Sequence, residues 1–332
     1  MSGVRIGYHC SHEQLPPSAL LRHVIHAEAA GFASSSSSDH LMPWSEQQGH
    51  AGHVWSFLGA AMQATSLPMG CVTTPGWRYH PAILAQAMAT LAELYPQRLF
   101  VCFGSGEAVN ERVVGRGWPA KPARQAVLRE SVGIIRALLA GETVDHVGEH
   151  VVVEHAKLYT RPATAPLLIG AALTPETARF VGGFCDGVIT VNQSPEQLRR
   201  LLDAFREGGG EGKPAYLQVH LAWGRSDDEA RHEAFERWRT VSVGGAVLAE
   251  LSRVDHFESA ARFVRPEDMD GNVRISADLQ RHIAWLQQDI ALGFEQVFLH
   301  AVGADQTAFI DAFGDVVLPA LRHDLRLPVG GS

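Results

Sequence analysis

Eight short apolar runs in this sequence each end in residues that can do chemistry. The first ends at His9, the second at Asp39-His40 with Trp44 close behind, and the third at Thr73-Thr74-Pro75. The fourth leads into Gly104-Ser105-Gly106-Glu107, with Asn110 following, and the fifth into Gly170-Ala171-Ala172. The sixth gives Asn192-Gln193, the seventh carries His220 with Trp223 beyond it, and the eighth ends at His300. Histidine titrates near neutrality and so suits general acid–base work. The glycines before Glu107 would let the backbone approach a flat ring closely. Plainer readings stand beside these. Asp39 could cap the loop that follows it, Glu107 could satisfy the dipole of a helix starting near Ala108, and His9, His220 and His300 could be satisfied core histidines. The company of His40 and Trp44 favours chemistry at Asp39. The same histidines with Asp39 could instead hold a divalent metal, as hydrolase barrels do. Such a site wants ligands at alternate positions of the first strand, whereas His9 and His12 are three apart, so no metal is expected.

The elements that would position these residues alternate along the chain. Strands read at 4–9, 33–38, 69–74, 99–104, 167–171, 187–191, 215–222 and 296–300. Helices read at 17–30, 53–64, 81–94, 124–139, 175–181, 195–206, 227–238, 276–292 and 305–325, and four of them begin at or just after a proline, which suits a first helical turn. Eight strand–helix units predict a closed (β/α)8 TIM barrel, an α/β fold in one domain over residues 1–326, rather than an open sheet. Two stretches break the rhythm: 143–159 reads as a hairpin insertion before the fifth strand, and 241–275 as a lid-like insertion after the seventh helix. Residues 34–38 are five consecutive serines where an inner strand belongs, and inward serines need hydrogen-bond partners.

Composition narrows the class. The chain has 332 residues, 46% apolar, with 28 Lys plus Arg against 36 Asp plus Glu, a formal charge of −8. That balance lacks the basic face that nucleic-acid binding requires. No stretch reaches the ~18 apolar residues of a membrane span, and the N-terminus reads as a strand rather than a leader. The four cysteines, Cys10, Cys71, Cys102 and Cys185, are far apart and read as buried free thiols. A cytoplasmic protein is expected, with a small-molecule substrate and neither nucleic acid nor membrane as partner.

Three motifs in order carry a resemblance. Ser38-Asp39-His40 with Pro43-Trp44 and Gly49-His50, then Arg78-Tyr79-His80-Pro81-Ala82 with Ala85-Gln86, then Gly104-Ser105-Gly106-Glu107-Ala108-Val109-Asn110-Glu111, resemble the bacterial-luciferase-like superfamily. Within it they are most similar to the glucose-6-phosphate dehydrogenases that use the 8-hydroxy-5-deazaflavin coenzyme F420. The resemblance implies hydride transfer between the cofactor ring and an alcohol or carbonyl carbon. It implies that His40 accepts the hydroxyl proton, that Glu107 acts as an acid near the ring, and that Trp44 packs on substrate or ring. Asp39, Val72, Thr73, Thr74, Gly106, Glu107, Asn110, Gly170, Ala171, Ala172 and Asn192 would line the cofactor, with a non-proline cis peptide near Val72 or Thr73. A homodimer is implied, pairing through the second and third helices, where Trp55, Phe57, Leu58, Met62, Leu84 and Met88 offer apolar surface.

The departures bear on cofactor and substrate. The family's sugar-phosphate users carry lysines around the phosphate, but this chain has only Lys121, Lys157 and Lys213, and the lysine expected after the sixth strand falls near Ser194. The tail-phosphate turn is Ala171-Ala172 in place of a double glycine. Arg253, Arg262, Arg265 and Arg274 in the insertion could bind an anion by another route. Coenzyme F420 and flavin mononucleotide (FMN) both stay open. A flavin-dependent monooxygenase and a flavin-binding barrel without turnover are the alternatives within the same fold.

Overall fold

Runs rich in Val, Ile, Leu, Phe and Cys, such as Leu99–Phe103, make strands that are buried on both faces, as a parallel sheet requires. A computed structural model describes residues 4–324. Eight strands, β1 (Arg5–Cys10), β2 (Ser34–Ser38), β3 (Met69–Thr73), β4 (Leu99–Phe103), β5 (Leu167–Ala171), β6 (Gly187–Val191), β7 (Ala215–Ala222) and β8 (Gln296–Ala301), form one parallel sheet. Neighbours pair in chain order, β8 pairs with β1, and β6 pairs with β7, so the sheet closes into the expected (β/α)8 barrel.

Alternation along the strands separates two cores. Phe100, Cys102, Ile169, Ile189, Tyr216 and Phe298 fill the barrel interior, with Val72 and Ala171 above them. The larger core lies outside the sheet under the ring of helices, where β1 contributes Tyr8 and Cys10 and β4 contributes Val101 and Phe103. Gly7 of β1 faces inward, and a Cβ there would stand 2.6 Å from both Phe298 and the Ser34 hydroxyl, so only glycine fits.

The insertions take definite form. Val144–Val147 and Val152–Ala156 pair antiparallel as the expected hairpin. Between Arg239 and Met269 the chain makes short helical turns that pack Phe257, Leu248 and Met269 over the mouth side. Arg274–Ile275 then adds a short parallel strand beside β7. The next helix therefore starts at Leu279, capped by the Asp278 carboxylate accepting from Gln280 N, rather than at Ser276. The final helical stretch, expected over 305–325, runs from Gln306 through a π-helical turn at Phe313–Val317 to Asp324; Leu325 lies outside the described residues.

Two expectations are corrected. Every described peptide bond is trans, including those at Val72 and Thr73; β3 simply continues, the Thr73 carbonyl accepting from Gly104 N at 2.9 Å. Trp55, Phe57, Leu58, Met62, Leu84 and Met88 are buried within the chain itself, packed between helices and sheet. They offer no surface to a second copy.

Candidate active site

The carboxyl ends of β1 and β2 bring together a charged group of side chains in a buried setting. β1 runs into Ser11-His12-Glu13, and Glu13 is 3% exposed. Its Oε2 accepts from the hydroxyls of Ser11 at 2.8 Å and Ser38 at 2.7 Å. Its Oε1 lies 3.0 Å from His40 Nδ1. That contact is an ion pair set off the hydrogen-bond axis, since His40 Nδ1 has no aligned acceptor. His40 Nε2 stands 4.0 Å from Glu107 Oε2 across the mouth. Burial alone would lower the His40 pKa, but the Glu13 charge, assisted by Glu107, outweighs it and raises it to about 9. Burial would raise Glu13, and its partners His40 and Ser38 hold it well below the usual carboxylate range instead. Glu107 goes the other way: burial raises it, opposed by His40 and by the Trp44 indole N–H, which donates to Oε2 at 3.0 Å.

Glu13 is absent from the residues the sequence pattern picks out. Its signal was position, four residues past the His9 strand end and in reach of the next strand's serines.

Asp39 and its neighbours form a second, buried network. Asp39 accepts from the hydroxyls of Thr73 at 2.6 Å and Tyr79 at 3.2 Å, and Arg78 lies 3.2 Å away. Arg78 also donates to the Asp39 carbonyl at 2.8 Å, and its backbone N–H donates to Glu111 at 3.0 Å. Burial raises Glu111 to about 7 against the opposing charge of Arg78. Asp39 is thus the anchor of the loop that carries His40. Asn110 serves the same loop: its side-chain oxygen accepts from Leu41 N at 2.9 Å and Met42 N at 3.2 Å. Asn192 accepts from His220 N at 2.8 Å and donates to the Asn272 carbonyl at 3.1 Å, tying β6 to β7 and to the lid.

Whether these residues fit a flat tricyclic ring can be read from the ends of β3, β4 and β5. Val72 pairs with Cys102, and further along Gly104 follows β4 next to Ala171, where a Cβ built on Gly104 would meet nothing nearer than Ala171 at 3.8 Å. Gly106, at φ +83°, has no room for a side chain, since a Cβ there would stand 2.9 Å from Glu111 and 3.0 Å from Thr74, so it holds the turn that leads to Glu107. Val72 and Ala171, half-buried on top of the barrel core, and Gly104 beside Ala171 make a small apolar patch at these strand ends, which suits a flavin-type ring. Gly170 does not join that patch. Its hydrogen faces outward, where a Cβ would stand 2.5 Å from Val181, so it is glycine for helix packing. Ala172 likewise lies in the outer core.

The lid arginines are committed elsewhere. Arg253 pairs with Asp255 at 2.8 Å, Arg265 with Asp268 at 3.1 Å, and Arg274 with buried Asp289 at 2.5 Å. Arg262 lies over Phe263 and lines a cavity of about 440 Å³ on the lid with Arg239, Asp255 and Glu258. Those residues include none of the acid–base group. Ser194, in the place of the expected lysine, caps a helix by accepting from Gln197 N at 3.3 Å. Among the described residues, no group of three His, Cys, Asp or Glu is arranged to hold a metal ion.

Comparison with known proteins places the chain in a family. The sequence profile of the family described as luciferase-like monooxygenase matches residues 3–297. The F420-dependent glucose-6-phosphate dehydrogenase of Beutenbergia cavernae is 34% identical over 328 residues, 96% of this chain and 98% of that protein. The protein of the same name from Mycobacterium tuberculosis H37Rv is 32% identical over 335 residues, 97% and 99% of the two chains. The solved structure of an F420-dependent secondary alcohol dehydrogenase in complex with an F420-acetone adduct superposes with a TM-score of 0.89 at 28% identity, covering 96% of this chain and 99% of that one. A coenzyme F420 dependent tetrahydromethanopterin reductase from Methanopyrus kandleri shares the fold at 20% identity and a TM-score of 0.78. With the barrel and these matches in agreement, the chain belongs to the luciferase-like monooxygenase family and is one of its oxidoreductases.

Proposed function

We propose that this protein is a coenzyme F420-dependent dehydrogenase or reductase that moves a hydride between the cofactor and an uncharged alcohol or carbonyl compound. The observation that carries this reading is His40, held between Glu13 at 3.0 Å and Glu107 at 4.0 Å past the end of β2. The F420-dependent relatives, at more than 30% identity along nearly the whole chain, support the deazaflavin over FMN. Val72, Gly104 and Ala171 would carry the ring face, and Thr74, Gly106 and Glu107 its edge. When bound, the deazaflavin accepts or supplies the hydride.

The protein's own part is proton management. At neutral pH His40 carries its proton, because its pKa is raised to about 9. It is therefore set to donate to a carbonyl oxygen during reduction, and it takes the hydroxyl proton of an alcohol only after losing its own. Trp44 excludes water from this exchange: its ring stacks on Phe257 of the lid at 6.0 Å and lies 5.8 Å from His40. An uncharged substrate follows from the electrostatics. Glu13 is ionised, His9 and His220 are kept neutral by burial, which lowers them to about 3 and about 4, and Arg253, Arg265 and Arg274 are each paired with a carboxylate. The charge of His40 is already matched by Glu13, so this set holds no free cation to offset the lost hydration of a phosphate. The four cysteines are buried free thiols, which supports a cytoplasmic, reducing setting. No helix among the described residues is long and apolar enough to cross a membrane.

The test is a titration of the apoprotein with F420 and with FMN, followed by ring fluorescence, then turnover with 2-alkanols, ketones and glucose 6-phosphate. Tight F420 binding with turnover of uncharged substrates is expected. Preference for FMN would overturn the cofactor, and turnover of glucose 6-phosphate alone would overturn the substrate class.

A further inference from the structure

Beyond Trp44 the mouth continues into a second aromatic group that the acid–base reading does not use. The Trp238 ring lies 5.6 Å from Trp44, and His300 lies 4.6 Å from Trp238, edge to face. His220 and His9 stand 5.1 Å and 4.7 Å from His300. Two atoms in this group are buried and have no hydrogen-bond partner: Trp238 Nε1 and His300 Nδ1. Their roles are fixed. An indole N–H can only donate. Gln14 donates its amide N–H to the Val302 carbonyl at 2.9 Å, which turns its oxygen toward His300 Nε2 at 2.7 Å. His300 Nε2 must therefore carry the hydrogen, and Nδ1 is left with a bare lone pair. Burial first, and then His9 and His220, hold the His300 pKa well below its usual value, so at neutral pH Nδ1 is an acceptor.

One unmatched donor and one unmatched acceptor therefore sit on adjoining rings, where buried polar groups are as a rule partnered. A carboxylate or phosphate accepts but has no hydrogen for His300. An ammonium donates but leaves the indole unmatched, and a carbonyl serves the indole alone. A hydroxyl satisfies both. Trp44 stands between this pair and His40, so the hydroxyl held here is not the one that reacts at His40.

We infer that Trp238 and His300 form a subsite for a second hydroxyl of the substrate, which makes the substrate an uncharged polyol or its hydroxyketone. This rests on the hydride-transfer reading given above. Trp238 and His300 are then specificity-determining residues, and only one hydroxyl of such a substrate is oxidised.

The experiment uses the F420-loaded enzyme and matched pairs of substrates: 2-butanol against 1,3-butanediol, 2-pentanol against 1,4-pentanediol, and 2-hexanol against 1,5-hexanediol. For at least one pair the diol should show a kcat/KM at least ~10-fold higher, in keeping with sites built around a substrate hydroxyl. Trp238→Phe and His300→Phe should each bring that ratio to about one. Both variants keep a ring in place, and if His300→Phe does not fold, Trp238→Phe carries the test. In parallel, 15N-histidine spectra of the loaded wild type should show the His300 Nδ1 signal moving upfield with the preferred diol and not with its 2-alkanol. Equal use of alkanols and diols, or a preference that survives in Trp238→Phe, would show that the pair holds a fixed water, and the inference would fall. If no alcohol or ketone is turned over, it is the hydride-transfer reading that fails, and the diol-specific 15N shift still decides the subsite by itself.

Discussion

Replacing Glu13 with glutamine removes the charge that governs His40 and keeps the shape that Ser11 and Ser38 hold. In the wild type the His40 pKa is about 9 against the ordinary 6.5. At ~1.36 kcal/mol per unit, those roughly 2.5 units are ~3.4 kcal/mol in favour of the imidazolium. That figure is what remains after burial has been overcome. His9 and His220 show what burial does in the same mouth without so close a carboxylate, lying at about 3 and about 4. With glutamine at position 13 only Glu107, 4.0 Å away, still favours the charged form, so His40 should titrate at or below 6.5.

The consequence for rate has a definite sign. Alcohol oxidation needs neutral His40, so the wild-type rate should climb about tenfold per pH unit and level off only near pH 9. Carbonyl reduction needs the protonated form and should stay flat until the same point. In Glu13→Gln both limbs should move down by at least ~2 units. Single-turnover rates in both directions, with NMR titration of the His40 ring proton, read this directly. A limb that stays near 9 in the variant, or a wild-type His40 that titrates near 6.5, would refute the role given to Glu13.

Other outcomes follow from the same contacts. Arg274→Met should destabilise the fold by ~3–5 kcal/mol in urea unfolding, because it strands Asp289, which is 1% exposed, and it should leave the preference among substrates unmoved. Near pH 5 stability should fall with acid: His9, His220 and His300 are lowered by burial, so each adds up to ~1.4 kcal/mol per pH unit of proton uptake by the unfolded chain below 6.5, and His300→Phe should lower the measured slope by up to that one share. Sedimentation at micromolar concentration should give a dimer of twice 36.0 kDa, and charging Ile83 and Leu94, 60% and 57% exposed on the helix Pro81–Leu94, should return the monomer; a wild-type monomer would end the dimer proposal.

The fold was largely legible because each barrel strand is a local run bounded by turn residues, so its period and its ends stand in the sequence. Leu167–Ala171, Gly187–Val191 and Ala215–Ala222 fall where the apolar runs predict. The residues around His40, Trp44 and Glu107 were legible for the same reason, as strand-end neighbours in a barrel. What pairs with what was not. Nothing in the spacing shows that Glu13 would face His40, that Arg274 would be taken by Asp289, or that Gly170 would turn away from the mouth toward Val181. Apolar content also could not say which neighbour buries it. Trp55 and Met88 read as surface for a partner and are in fact covered by their own chain.

The five serines of β2 join these threads. In a strand successive residues face opposite sides, so the run divides between the two faces. On the outer face Ser35 donates to the Tyr8 carbonyl at 2.8 Å, closing a gap under the helices. On the inner face Ser36 meets His9 Nδ1 at 2.7 Å, and Ser38 donates to Glu13 at 2.7 Å while accepting from His12 N at 3.1 Å. A branched apolar strand, the ordinary choice for a barrel, would fill that space and offer Glu13 no donor. Short hydroxyls leave room for His9 beside them and supply the hydrogens that keep a buried carboxylate ionised. Ionised Glu13 in turn keeps the proton on His40. The least strand-like segment of the sequence is thus the one that sets the charge of the residue that handles the proton.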